Sequence, residues 1–187
     1  MSLINRKFFF DRVRKDLFKG SLKQGQVEGL DTLLDVWENK HSGNDDRWLA
    51  YVLGTAYHEV DRTMQPIEEY GKGKGHAYGI PDAATKKAYY GRGFVQLTWK
   101  KNYQTLGDKI GVDLVHHPEK ALDTDVASEV IFTGMIDGDF TSKSLSDYFN
   151  NSDEDWIHAR RIVNGLDRAE KIAGYARKFY AAISYTV

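Results

Sequence analysis

The sequence predicts a mainly α domain interrupted by one long glycine-rich insertion. Apolar residues recur at helical spacing along most of the chain. Between Val60 and Gly93 that periodicity vanishes, and glycines and two prolines stand among lysines. The chain has 187 residues, 41% hydrophobic and 13% aromatic, enough to bury a core and to exclude intrinsic disorder.

The elements follow in order. Asn5–Phe18 reads as a helix with Phe8, Phe9, Val13 and Leu17 on one stripe, broken by Gly20. Gln24–Lys40 gives a second helix with Val27, Leu30, Leu33, Leu34 and Trp37 inward. After the loop at 41–46, Asp46 is placed to cap a third helix running to Glu59. That helix, RWLAYVLGTAYHE, is apolar nearly all round, the mark of a buried central helix. The insertion reads as irregular with a small hairpin. Thr98, as N-cap, opens a helix to Lys109, and further helices are expected near 124–136, 153–163 and 167–185. The whole chain is expected to form a single domain, with residues 1–40 packing on a core at 45–185.

Composition excludes several classes. With 0 Cys there is no disulfide scaffold and no thiolate metal site. The N-terminus MSLINRKFFFDRVRKD has no apolar h-region, so no Sec signal and no membrane insertion are expected. Charge is patterned although the net is -1. Residues 1–23 carry seven Lys/Arg against two acids, 72–109 carry eight against two, and 121–155 carry nine acids against Lys143. Most such runs are solvated faces. The strip at 72–109 also suits the border of a site for an anionic polymer. No Lys/Arg cluster is dense enough for nucleic acid.

Two segments carry candidate chemistry. In AYHEVDRTMQPIEEYG, Glu59 closes the buried helix, where partial desolvation favours a general acid. A last-turn Glu paired with Arg62 or His58 explains it equally well. Glu68 and Glu69 follow Pro66 on an extended stretch. Two carboxyls across a cleft form the constellation for glycoside hydrolysis. In YYGRGFVQLTWKKNY, Gly91 and Gly93 would admit a ligand close to the backbone, and Tyr89, Tyr90 and Trp99 could stack on sugar rings. Gln96 and Asn102 could bind hydroxyl or N-acetyl groups. Metal and nucleotide motifs fail: Arg62 stands where a zinc helix needs its second His, GKGKG lacks Lys-Ser/Thr, and DTDVASE lacks the glycine of a calcium loop. No metal and no cofactor are expected.

Together these segments resemble glycoside hydrolase family 19, which includes chitinases and phage endolysins. The likeness rests on His58-Glu59 ending an apolar helix, TMQPIEEYG, YYGRGFVQLTWKKNY and the block NGLDRAEKIAGYARKFY. It implies a lysozyme-like α+β fold with a small β-element and the glycine-rich loop flanking a substrate groove. It implies an inverting mechanism, with Glu59 as general acid, an acid at 68/69 as general base and Thr98 holding the attacking water. Of the two neighbours, Glu69 is chosen as base, with Glu68 beside substrate. Gln96, Asn102 and Asn164 are implied substrate contacts, and Tyr90, Arg92 and Trp99 are expected beside them. Val60 replaces the family's usual Thr or Ser after His-Glu, and Lys171 or Arg168 is expected where the last helix supplies an arginine to the acid. The absence of cysteine points to the bacterial or phage branch.

The resulting expectation is a monomeric peptidoglycan muramidase, cytoplasmic until released to the wall and bound to glycan strands. An endochitinase of the same family is the alternative. An antibacterial wall hydrolase delivered as a toxin and a non-catalytic sugar-binding relative are further alternatives.

Overall fold

The computed structural model describes residues 3–186. Six α-helices form its frame: α1 (Arg6–Asp16), α2 (Gln24–Lys40), α3 (Asp46–Glu59), α4 (Lys100–Ile110), α5 (Thr124–Asp137) and α6 (Ala169–Tyr180). Two short strands, β1 (Ile67–Glu68) and β2 (Arg92–Gly93), pair antiparallel, with Ile67 opposite Gly93 and Glu68 opposite Arg92. Single 3-10 turns fill the connections at Ala77–Gly79, Pro118–Leu122, Leu145–Asp147 and His158–Ile162.

Helix α3 is the axis of the molecule. Every residue from Leu49 to Tyr57 is buried, as its all-round apolar sequence requires. It lies directly on α6, whose inward face is Ile172, Ala173, Ala176 and Phe179. Gly54 makes that approach possible, because a Cβ there would sit 2.8 Å from the Ala176 backbone nitrogen. Helix α1 packs on this centre through Phe9 against Phe179, and α2 packs on α5 through Trp37 against Phe132. Their polar edge is fastened by Arg6, which bridges Asp31, Asp35 and the buried Glu38.

Several boundaries differ from the sequence reading. Phe8 is 44% exposed, so the buried stripe of α1 is Phe9 and Val13, continued by the C-cap Leu17. Asp45, not Asp46, caps α3 by accepting from the Arg47 N–H, while Asp46 takes the Tyr185 hydroxyl. The stretch 153–163 does not form an α-helix. Asn150 accepts from the backbone of Ser152 and Asp153, and Asp155 accepts from His158, so side chains compete for the N–H groups a helix would use. Only the 3-10 turn His158–Ile162 remains. Helix α6 starts at Ala169 because Arg168 is left-handed, with φ of 59°.

The insertion folds by a different logic. It is held by the short hairpin, by backbone bonds such as Tyr89 N–H to Tyr78 O, and by left-handed residues at Lys72, Lys86, Gln96 and Trp99. Among the described residues, no helix is long and apolar enough to cross a membrane.

Candidate active site

The C-terminal end of α3 delivers Glu59 to the surface. Its Oε1 accepts from Arg160 Nη1 at 2.7 Å. The Arg160 side chain is 4% exposed and that of Glu59 is 19% exposed, so a buried guanidinium holds a carboxyl at the rim. Arg160 is itself anchored by an Nε–H bond to the Asp167 carbonyl. Only one carboxyl oxygen is taken; Oε2 has no protein hydrogen bond among the described residues. Burial pushes the neighbouring His58 below its ordinary value, and Arg160, Lys171 and Arg168 push it the same way against Glu59.

Arg160 replaces the expected basic partner. It comes from the 3-10 turn His158–Ile162, not from the last helix, while Lys171 and Arg168 stand further off as a positive surround. The only sequence hint was its place between Trp156, Ala159 and Ile162, all of which are buried. Beside this corner, Ile157, Leu166, Arg168 and Lys171 border a depression of about 490 Å³.

The hairpin presents the other carboxyls. Glu68 Oε1 accepts from the Tyr90 hydroxyl at 2.6 Å, and its Oε2 meets Lys72 Nζ at 2.9 Å. Arg92 Nε lies 4.0 Å from the same group. These donors, Tyr90 foremost, hold Glu68 below its ordinary value of 4.5. Its side chain keeps 31% of its exposure. Glu69 is used differently. Its N–H donates to Gly91 O at 2.8 Å, and Gly91 N–H returns a bond to its Oε2 at 3.1 Å. Its Oε1 takes a long bond of 3.3 Å from the Tyr78 hydroxyl. Glu69 therefore clamps the end of the hairpin.

The remaining candidates divide. Trp99 is 50% exposed and edge-on to Tyr78 at 5.3 Å, and Tyr78 stacks on His76 at 5.0 Å. Tyr90 is half-buried beneath the Arg92 guanidinium, 3.7 Å from its ring centre. Asn164 is exposed, its Oδ1 accepting from Gly165 N–H. Asn102 Nδ2 is spent on the Thr98 carbonyl, and Gln96 Nε2 on the carbonyl of Ile67.

Some expectations are corrected. Arg92 is 6% exposed and bonded to the Ala88 carbonyl and the Tyr103 hydroxyl, so it supports the hairpin from below. Tyr89 is 3% exposed and cannot stack on a ligand. Gly91 and Gly93 are buried as well; a Cβ on Gly91 would meet Gln96 Oε1 at 2.7 Å. Thr98 does not cap α4. Trp99, with φ of 72°, occupies the cap, and no side chain caps the helix. The half-buried Thr98 hydroxyl has no protein partner among the described residues. Nor do those residues include a group of three His, Asp or Glu side chains able to hold a metal.

A helical core built around one buried helix, with a carboxyl at its end and a small hairpin bearing others, is a lysozyme-like fold. It superposes on chitinase C from Streptomyces griseus HUT6037 with a TM-score of 0.66 at 20% identity, covering 97% of this chain and 76% of that one. A class IV family GH19 chitinase from Zea mays matches with a TM-score of 0.60 at 14% identity, covering 93% and 90%. In sequence, residues 53–140 match the glycoside hydrolase family 19 model described as chitinase class I. Through that segment the chain is similar to glycoside hydrolase family 19. Chitinase 11 of Oryza sativa subsp. japonica is 36% identical over 81 residues, or 42% of this chain and 32% of that protein. Acidic endochitinase SP2 of Beta vulgaris is 38% identical over 95 residues, 47% of this chain and 32% of that protein. The match thus spans about a third of the length of these curated relatives. Glu59, Glu68, Glu69 and Thr98 lie inside the matched segment, whereas Arg160 and Asn164 lie beyond it.

Proposed function

We propose that this chain is an inverting glycoside hydrolase that cuts β-1,4-linked N-acetylglucosamine polymers of the chitin type. The observation that carries the reading is the contrast between its two carboxyls. Glu59 sits at the end of a buried helix with one oxygen anchored by Arg160 and the other free to meet a glycosidic oxygen. Glu68 is held as an anion by Tyr90 and Lys72 on a partly open hairpin. The reading gives proton donation to the open oxygen of Glu59 and proton acceptance to the anionic Glu68. In this reading Glu59 protonates the leaving oxygen. Glu68, not Glu69, takes the proton from the water that attacks the far face of the sugar. Glu69 is left to its clamp on Gly91. The free hydroxyl of Thr98 is available to that water, and Trp99 offers a face to a sugar ring.

The choice of chitin over peptidoglycan rests on charge as well as on the chitinase relatives. The anionic glycan was expected from the basic strip at 72–109. In the folded chain Arg92 is buried, while Lys72, Lys87, Lys100 and Lys109 are paired with carboxylates. Lys74, Lys86 and Lys101 alone of that strip have no ion pair among the described residues. A rim so neutralised gives an anionic polymer little advantage. The test is digestion of soluble chitin oligomers and purified sacculi side by side, with new reducing ends identified by mass spectrometry. Cleavage of the oligomers supports the proposal. Cleavage of sacculi with oligomers left intact would replace it with the muramidase.

A further inference from the structure

A second electropositive region lies where the turn after α1 meets the turn after α3. Most cations of residues 1–23 are neutralised: Arg6 by three acids, Lys7 and Arg14 by Asp11, and Arg12 by Asp16. Lys19 and Lys23 have no ion pair among the described residues, and both are exposed. Arg62 reaches the same place from the α3 side, its guanidinium near the phenol of Tyr175. These three cations border two adjoining depressions of about 220 and 320 Å³ that share Lys23, Gln26 and Arg62 as a common wall. Asp61 is the one acid at their edge.

The backbone that presents these cations is strained and tightly held. Lys19, Asp61, Arg62 and Met64 all take left-handed φ values, between 44° and 66°. Such conformations persist only when the surroundings fix them. Here they are fixed. Gln26 Nε2 donates to the Arg62 carbonyl at 2.8 Å, and Gln65 Nε2 to the Gly25 carbonyl at 2.6 Å. Gly29 lets α2 close on the turn, since a Cβ there would overlap the Met64 carbonyl oxygen at 1.6 Å. The Tyr57 hydroxyl ties down the other bank through the Leu17 carbonyl. The groove is therefore preformed, with its charges set at the surface.

We propose that this groove binds a linear polyanion carrying one charge per repeat, of the polyol-phosphate or uronate kind. Two depressions joined along one wall suit a chain better than a single ion. Three cations against one acid leave a net positive groove, and the Ser21 hydroxyl, without a protein partner among the described residues, faces a polyol. Single-stranded nucleic acid is disfavoured because the groove offers no exposed ring on which bases could stack; Phe18 is 7% exposed. The site would hold the protein to an anionic surface while a neutral glycan occupies the carboxyl corner.

The test compares the wild-type chain with a Lys19→Ala/Lys23→Ala/Arg62→Gln variant and a control variant, Lys74→Ala/Lys86→Ala/Lys101→Ala. Binding is measured to soluble poly(glycerol phosphate), to polygalacturonate and to a single-stranded oligonucleotide at several salt concentrations, with folding checked by thermal melting. The groove variant should melt near wild type, bind poly(glycerol phosphate) or polygalacturonate at least tenfold more weakly, and show a flatter salt dependence. The control should bind as wild type. Which polymer binds tells phosphate from uronate. Equal binding by wild type and groove variant, an equal loss in the control, no binding by wild type, or binding of the oligonucleotide alone would each overturn the proposal.

Discussion

The α3–α6 core and the stretch 60–99, which holds the insertion, are built on opposite principles. In the core, side-chain volume decides: Leu49 to Tyr57 are all buried, and α6 meets them with Ile, Ala and Phe. In the insertion, polar bonds decide. Glu68 is held by Tyr90 and Lys72, Glu69 by Gly91, Gln96 by Ile67, and Trp99 is left-handed. The core fixes where Glu59 stands, and the insertion fixes the direction of the other carboxyls. Substitutions in the two regions should therefore fail in different ways, one through stability and the other through chemistry.

The largest effect is expected at the junction. Glu59→Gln preserves shape, so the melting temperature should stay near wild type while turnover on chitin oligomers falls by about 10²–10⁴-fold. An unchanged rate would remove Glu59 from the acid role.

Within the insertion, Glu68→Ala should lower turnover far more than Glu69→Ala, whose main effect should be a looser hairpin. The pH profile sharpens the distinction. Because Glu68 is held below 4.5, its contribution to both activity and stability is complete above that value. It is lost as pH falls through the lowered folded value. Tyr90→Phe removes the leading donor, so the acidic limb of kcat/KM should move up toward 4.5. A limb unmoved in Tyr90→Phe would return the base role to Glu69.

In the core, Gly54→Ala should leave the chemistry of surviving enzyme intact and cost about 1–3 kcal/mol in urea unfolding, because the added methyl meets the α6 backbone. The smallest effect is expected at Thr98. With no cap to lose, Thr98→Val should change stability by no more than about 0.5 kcal/mol. Its activity should fall all the same if the hydroxyl holds water. A loss near 1 kcal/mol would restore the cap that the sequence suggested.

What could be read from sequence follows the same division. The buried helix ending in His58-Glu59 was legible because continuous apolarity has one outcome in a folded chain, and Gln24–Lys40 because its spacing is regular. Arg160 was hidden. Its pairing with Glu59 spans 101 positions and comes from a segment whose Asn and Asp side chains unmake the helix that periodicity suggested. Thr98 misled for a related reason. Its composition suits a cap, but the left-handed turn at Trp99 moves the helix start by one residue. The division of labour between Glu68 and Glu69 could not be read from two adjacent identical residues. It depends on which strand face meets Tyr90 and which meets Gly91.

The central claim is that Glu59 and Glu68 act as acid and base on opposite faces of one sugar ring. Its most direct test is proton NMR of the first products from a soluble chitin oligomer, recorded before mutarotation equilibrates them. The paired-carboxyl reading predicts the α-anomer first, the signature of a single displacement by water. Initial accumulation of the β-anomer would mean a double displacement or assistance from the substrate. It would contradict the assignment of Glu68 as the base.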